Sequence, residues 1–276
     1  SRLVAPERRS LAMGITMSVG SFGQFAMLPI SLGLMVAFEW QTALVLLSIL
    51  ALAMFPLAFG IRNAPAPIAS TDEDVSFGQA LRDAFGQRDF WLLSLGFFAC
   101  GFQVVFIAVH LPAFLADEGV GNGVATIVLA LIGLVNIAGT YYAGLWGGRH
   151  RKPMLLSWIY LGRAAAIAAF ILLPVTATSA YIFGAIMGLF WLSTVPLTNG
   201  TVASVFGVKH MSMLAGIVFF AHQLGSFAGG WMGGWLYDRT GSYDMAWGIA
   251  IGLSILAALL NWPITERTLA QRRTAI

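Results

Sequence analysis

The chain has 276 residues, of which 58% are hydrophobic and only 10% charged, with a mean hydropathy of +0.82 and a net charge of +3. Soluble domains carry about 25% charged residues, so this composition excludes an ordinary soluble fold, and lipid is the solvent that accommodates so much apolar surface. A single cysteine, Cys100, excludes a disulfide framework or a cysteine-rich metal centre within one chain, and the cations sit in short polar stretches rather than on a basic face, which argues against nucleic-acid binding.

Eight apolar segments follow in order, at 11–37, 42–60, 91–115, 123–146, 153–174, 180–200, 211–236 and 245–264. Most are long enough to cross a hydrocarbon core about 30 Å thick as helices rising about 1.5 Å per residue. Continuous helices satisfy every backbone group internally, which lipid demands. A β-barrel would instead read as short alternating segments. Glu39, Trp40 and Gln41 alone separate the first two segments. The longest polar stretch, 61–89, holds Pro65, Pro67, the acidic run Asp72-Glu73-Asp74 and a short amphipathic piece around Leu81 and Phe85. It reads as a linker between two bundles.

Charge placement tests this count. Thirteen of the fifteen Lys and Arg fall at the N-terminus and in alternate connections: Arg2, Arg8, Arg9; Arg62, Arg82, Arg88; Arg149, Arg151, Lys152; Lys209; and Arg267, Arg272, Arg273. The opposite connections hold Arg239, and Arg163 lies within a segment. The positive-inside rule then places both ends of the chain and the 61–89 linker in the cytoplasm. The protein is expected to be a multi-pass resident of a bacterial inner (plasma) membrane, with the bilayer as its first partner.

The first and seventh segments resemble each other weakly. One reads Leu11-Ala12-Met13-Gly14-Ile15 and then Gly20-Ser21-Phe22-Gly23; the other reads Leu214-Ala215-Gly216-Ile217 and then Gly225-Ser226-Phe227-Ala228. They are either a parallel repeat of six spans, a plan known in transporters, or two glycine-rich helices of similar composition. Gly225, Gly229 and Gly233 recur every fourth residue, which gives a flat face for close backbone approach.

Polar residues inside spans are costly and mark candidate sites. The third segment carries Gln103 and His110; the fourth carries Asn136 and Thr140 at i, i+4; the sixth carries Trp191, Thr194, Thr198 and Thr201; the seventh carries His222 and Gln223. Hydroxyls that bond their own helix and amides that bond a neighbouring helix are the structural alternative for each. All twelve Asp and Glu fall in connections or at segment ends, so a carboxylate proton relay is not expected in this portion. Arg149, Arg151 and Lys152 read as topology determinants or an inner-gate brace. Asp238 and Arg239 read as an outer-loop cap or gate. No cofactor or metal is called for.

Several of these stretches resemble the major facilitator superfamily, and more closely its bacterial monocarboxylate-transporter-like members near the oxalate/formate antiporter group. The resemblance rests on Arg8 through Ile15, on the basic stretch Gly144 through Pro153, on His222-Gln223-Leu224-Gly225-Ser226-Phe227, and on Gly233-Gly234-Trp235-Leu236-Tyr237-Asp238-Arg239-Thr240-Gly241-Ser242-Tyr243. It implies an all-α major facilitator fold in which the eight segments are helices five to twelve of twelve. The N-terminus would then be incomplete, with four helices missing. Residues 1–62 would close an N-terminal bundle, 63–89 would be the inter-bundle linker, and 90–276 would form the C-terminal six-helix bundle and a short tail. It also implies a cavity lined by the third and sixth segments, making Gln103, His110, Trp191 and Thr194 solute-facing.

Two departures stand out. Gly148 precedes Arg149 where the superfamily usually has an Asp, and Asn136 and Thr140 match positions where monocarboxylate carriers have an Asp and an Arg. The expected function is secondary active transport of a small solute by alternating access, an organic anion such as a carboxylate, with a coupling proton or counter-anion possible. A non-transporting receptor or assembly partner is the alternative. An integral membrane enzyme is less supported, because four scattered His and no intramembrane acid supply no catalytic set. Arg163, ten residues past Pro153, must find its partner among polar side chains or carbonyls, in the missing helices, or in an anionic substrate.

Overall fold

A computed structural model describes residues 8–59, 76–207 and 210–266. The described residues form helices and turns without strands. In chain order the helices are α1 (Arg9–Ala37), α2 (Trp40–Leu52), α3 (Met54–Phe59), α4 (Phe77–Phe85), α5 (Arg88–Asp117), α6 (Asn122–Gly147), α7 (Lys152–Leu172), α8 (Ala177–Phe190), α9 (Thr194–Phe206), α10 (Met211–Thr240) and α11 (Asp244–Asn261). Residues 60–75 lie outside the described structure, as do Arg2, Lys209 and the tail from 267 on, so the central part of the expected linker and several of the cations on which the expected orientation rests are not described.

Seven stretches are long and apolar enough to cross a membrane, and α8 with α9 counts among them as one, Ala177–Phe206. The second expected segment is helical as α2 and α3. It is a shorter apolar helix, Trp40–Pro56, broken at Ala53. Pro56 has no N–H for the Leu52 carbonyl, and its ring crowds that position. The chain tightens there, with Ala53 N–H donating to Leu50 O at 3.2 Å.

The amphipathic piece of the expected linker is α4, started by Ser76, whose hydroxyl accepts from Gln79 N–H at 3.3 Å, with Ala80 and Ala84 turned inward. The dominant packing pairs are α5 with α10, α1 with α6, α6 with α8, and α7 with α11. Glycines set the closest of these. A Cβ on Gly225 would stand 2.0 Å from the Phe98 carbonyl oxygen, and one on Gly101 would stand 1.9 Å from that of His222. The four-residue glycine rhythm of α10 is therefore the seam against α5. Aromatic packing by Phe106, Phe114, Phe170, Phe183 and Trp247 fills the bundle toward the α10–α11 turn.

Candidate functional site

The sixth segment does not run straight through. Pro196 stands in the first turn of α9, where it has no N–H to offer Leu192 O and displaces that carbonyl. Val195 N–H bonds Leu192 O at 3.0 Å instead, and the chain turns over Trp191–Ser193. A break inside a span frees backbone groups that lipid cannot satisfy. Side chains from other helices meet them.

Arg163, on α7, is fully buried. Its Nη2 donates to Phe190 O at 2.6 Å and to Trp191 O, its Nε donates to Phe190 O at 3.2 Å, and its Nη1 donates to Gln103 Oε1 at 3.1 Å. Its guanidinium carbon lies 5.6 Å from the Tyr160 ring centroid. The cation thus caps the C-terminus of α8, where the helix dipole presents roughly half a negative charge. Gln103, on α5, passes the network on: its Nε2 donates to Ala250 O at 2.8 Å and to the Ser254 hydroxyl on α11.

Asn136, on α6, meets the other side of the break. Its Oδ1 accepts from Leu192 N–H at 2.9 Å and its Nδ2 donates to Ser21 Oγ on α1 at 2.8 Å. One turn on, the Thr140 hydroxyl donates to Asn136 O at 2.8 Å and lies 2.9 Å from Ser18 Oγ. Thr194 opens α9 fully buried, its hydroxyl 3.2 Å from Cys100 Sγ. Trp191 is buried in the aromatic core, and its carbonyl is what Arg163 holds.

Counting helical rise from the ends nearest the basic connections, Arg163, Cys100, Asn136, Ser21 and His222 all stand about 17 Å along their helices. They form one polar layer near mid-membrane depth. No acid joins it: the described Asp and Glu lie at helix ends or in connections. Arg163 is therefore a buried cation balanced by dipoles alone among the described residues.

His222 is buried on α10, its Nδ1 3.1 Å from Gln223 Oε1 and 3.4 Å from Ser226 Oγ. Gln223 itself is exposed. His110 lies apart from the layer, farther along α5. Its Nε2 bonds Gly230 O at 2.8 Å, and its ring packs on Tyr243 with centroids 5.5 Å apart. Burial, helped by Asp117, pushes the Tyr243 phenol above its usual range. Gln103 and His110, which share a helical face by spacing, thus serve different neighbours: α7 and α11 for the first, α10 and the α10–α11 turn for the second.

The gate candidates separate to the two ends. At the basic end, Lys152 Nζ pairs with Glu266 Oε1 at 2.8 Å and bonds Ser204 Oγ at 3.2 Å, while Arg151 Nη2 donates to Ile264 O at 3.1 Å. The loop lacking the usual Asp before Arg149 is thus tied to the end of α11 and to α9, and Arg149 is exposed. At the other end, Arg239 lies over the Trp235 ring, 4.2 Å from its centroid. Asp238 is exposed, and the turn after α10 is closed by Gly241 in the left-handed region (φ +69) with the Thr240 and Ser242 hydroxyls. The sequence reading did not single out Ser21, Ser254 or Glu266 as partners. Pro196 was the available signal for the break.

A helical bundle with a broken span at a buried polar layer is a transporter-type arrangement, and sequence comparison agrees. The Major Facilitator Superfamily model matches residues 1–230. The chain belongs to the major facilitator superfamily. It is 25% identical over 272 residues to an MFS-type transporter of Bacillus subtilis, YcxA, covering 92% of this chain and 64% of that one. It is 24% identical over 301 residues to monocarboxylate transporter 12-B of Danio rerio (96% and 63%) and 25% identical over 276 residues to a hexuronate transporter of Bacillus subtilis (92% and 64%). The chain spans a little under two thirds of the length of these relatives, all of which are named as transporters. This superfamily member is an all-α, multi-pass membrane protein.

Proposed function

We propose that this chain forms part of a secondary transporter that moves a small organic anion, most simply a carboxylate, by alternating access between two helical bundles. Residues 1–62 close the first bundle, 63–89 link the two, and 90–276 form the second. The observation that carries the substrate class is Arg163: a fully buried cation, in the layer where the sixth span breaks, with no carboxylate partner among the described residues. Such a charge raises the local potential and favours an anion nearby, even though carbonyls hold its own donors. The carboxylate common to a monocarboxylate and a hexuronate, the solutes named for two relatives, supports the same reading.

In this scheme Arg163 acts from behind the site. Gln103, Asn136, Thr140, Trp191 and Thr194 hold the broken span in shape, and the half-helix ends at Trp191–Thr194, with His222 and Gln223, face the solute. His110 takes the outer end of the pathway, while Arg149, Arg151 and Lys152, opposite Asp238 and Arg239, serve the two gates. The test is uptake by proteoliposomes of the protein expressed from its complete coding sequence, using labelled lactate, oxalate and glucuronate against a neutral sugar and an amine. Saturable uptake of at least one carboxylate, competed by the others, is expected. Movement of only the neutral sugar or the amine would refute the anion assignment, and saturable binding without flux would favour the receptor reading.

Orientation belongs to the same proposal. In a Cys100→Ser background, a cysteine at His150 should resist an impermeant thiol reagent added to intact cells, and one at Asn122 should react. Equal labelling at both positions would overturn the cytoplasmic placement of the basic connections.

A further inference from the structure

His222 is the one span histidine whose ring is only half used. Its Nδ1 faces the Gln223 carbonyl oxygen at 3.1 Å. A carbonyl oxygen accepts, so Nδ1 carries the hydrogen and, in the neutral ring, Nε2 is the bare acceptor. That nitrogen is buried with no nitrogen or oxygen partner, and the residue as a whole is 7% exposed. His110, by contrast, spends its Nε2 on the Gly230 carbonyl. Buried acceptors without partners are rare and costly, and this one stands in the same layer as Arg163.

Its surroundings are aromatic, with few ionisable groups. The ring lies between Phe97, centroids 4.8 Å apart, and Phe219, stacked at 5.2 Å. Phe219 is itself 47% exposed, so the cover on that side is a rim residue rather than core. The groups that face it are the Cys100 thiol from α5, a weak hydrogen-bond partner of the ring that also bonds Thr194 of α9, and, beyond it on α7, Arg163 and Tyr160. α11 presents no charged group to it among the described residues.

The geometry points to His222 Nε2 as the proton-binding site of the transporter, loaded together with the anionic solute. This rests on the carboxylate reading above. The physical reason for joint loading is charge. Protonating His222 places a second cation in a low-dielectric layer that already holds a permanent one, which is unfavourable alone. A carboxylate arriving in the layer reverses that sign. Each ligand therefore raises the affinity for the other, and the coupling is reciprocal. The proton adds to the Nε2 lone pair, giving an imidazolium with a second N–H to donate to the carboxylate, and returns to water when the solute leaves.

Two readouts test this. The first is the nitrogen NMR titration of ring-labelled histidine in the protein held in nanodiscs, with the His222 signal assigned by its loss in His222→Gln. Reversible protonation of Nε2 between about pH 5 and 8, shifted to higher pH by a saturating carboxylate, is expected. A ring that stays neutral across that range with the carboxylate present would overturn the proposal. The second is uptake driven by an inward proton gradient. His222→Gln should lower gradient-driven accumulation at least tenfold. Accumulation unchanged in His222→Gln would refute the proton site and leave the carboxylate assignment standing. Absence of any carboxylate uptake would remove that assignment, and the titration without solute still reports whether Nε2 binds a proton.

Discussion

Arg163→Leu is expected to destabilise the folded protein by about 3–5 kcal/mol, the range for removing one member of a buried charged network. Three acceptors depend on it: the carbonyls of Phe190 and Trp191 and Oε1 of Gln103. Each buried group left without a donor costs about 1–3 kcal/mol, and the α8 C-terminus would lose the cation opposing its dipole. Arg163→Lys keeps the charge, but a single ammonium cannot span the carbonyl pair and Gln103 with a planar fork. It should fall between wild type and Leu. Cys100 provides the measurement. It is the only cysteine and is fully buried, so a thiol-reactive dye reports thermal opening directly. An unchanged melting temperature in Arg163→Leu, with solute binding lost, would show that the guanidinium serves the solute rather than the scaffold.

A larger effect is expected at the α5–α10 seam. Gly101→Val and Gly225→Val should each prevent the two helices from closing, with loss of most folded protein. Even the first carbon of a side chain would stand 1.9 Å and 2.0 Å from backbone carbonyl oxygens, at His222 and Phe98 respectively. Backbone cannot swing aside as a side chain does, so the helices must separate along their length. Ordinary overpacking costs about 1–3 kcal/mol, and this case lies at or beyond its upper end. Gly216→Ala and Gly248→Ala are the controls. Nothing lies within 4 Å of a Cβ at either position, and helix propensity favours Ala by up to about 1 kcal/mol. The Cys100 dye assay should show early reactivity in the first pair and none in the second. Normal thermal protection in Gly101→Val would mean the helices are not seated as described.

The His222 proton site sits directly on this seam, since the His222 carbonyl is the group that Gly101 admits. Closeness of α5 and α10 is thus what holds Phe97 and Cys100 against the imidazole. A variant that loosens the seam should release both the thiol and the ring, which ties the stability readout to the site.

The residues alone reveal the membrane class, nearly all the spans, the glycine seam and the polar positions inside the spans. Each is a local property: a run of apolar residues measured against bilayer thickness, a four-residue rhythm, a costly polar group inside such a run. Apolar continuity marks the second segment but does not register what Pro56 does to the turn before it. The tertiary structure alone decided what the polar groups do. Arg163 meets carbonyls 27 and 28 positions away, Asn136 meets an amide 56 away, and Gln103 meets a hydroxyl 151 away. No periodicity within a helix records which helix lies beside it, and in lipid the apolar faces do not discriminate between neighbours. The choice is made by close glycine contacts and by the need to satisfy every backbone group freed where Pro196 breaks the sixth span, a need that arises only once the helices are assembled.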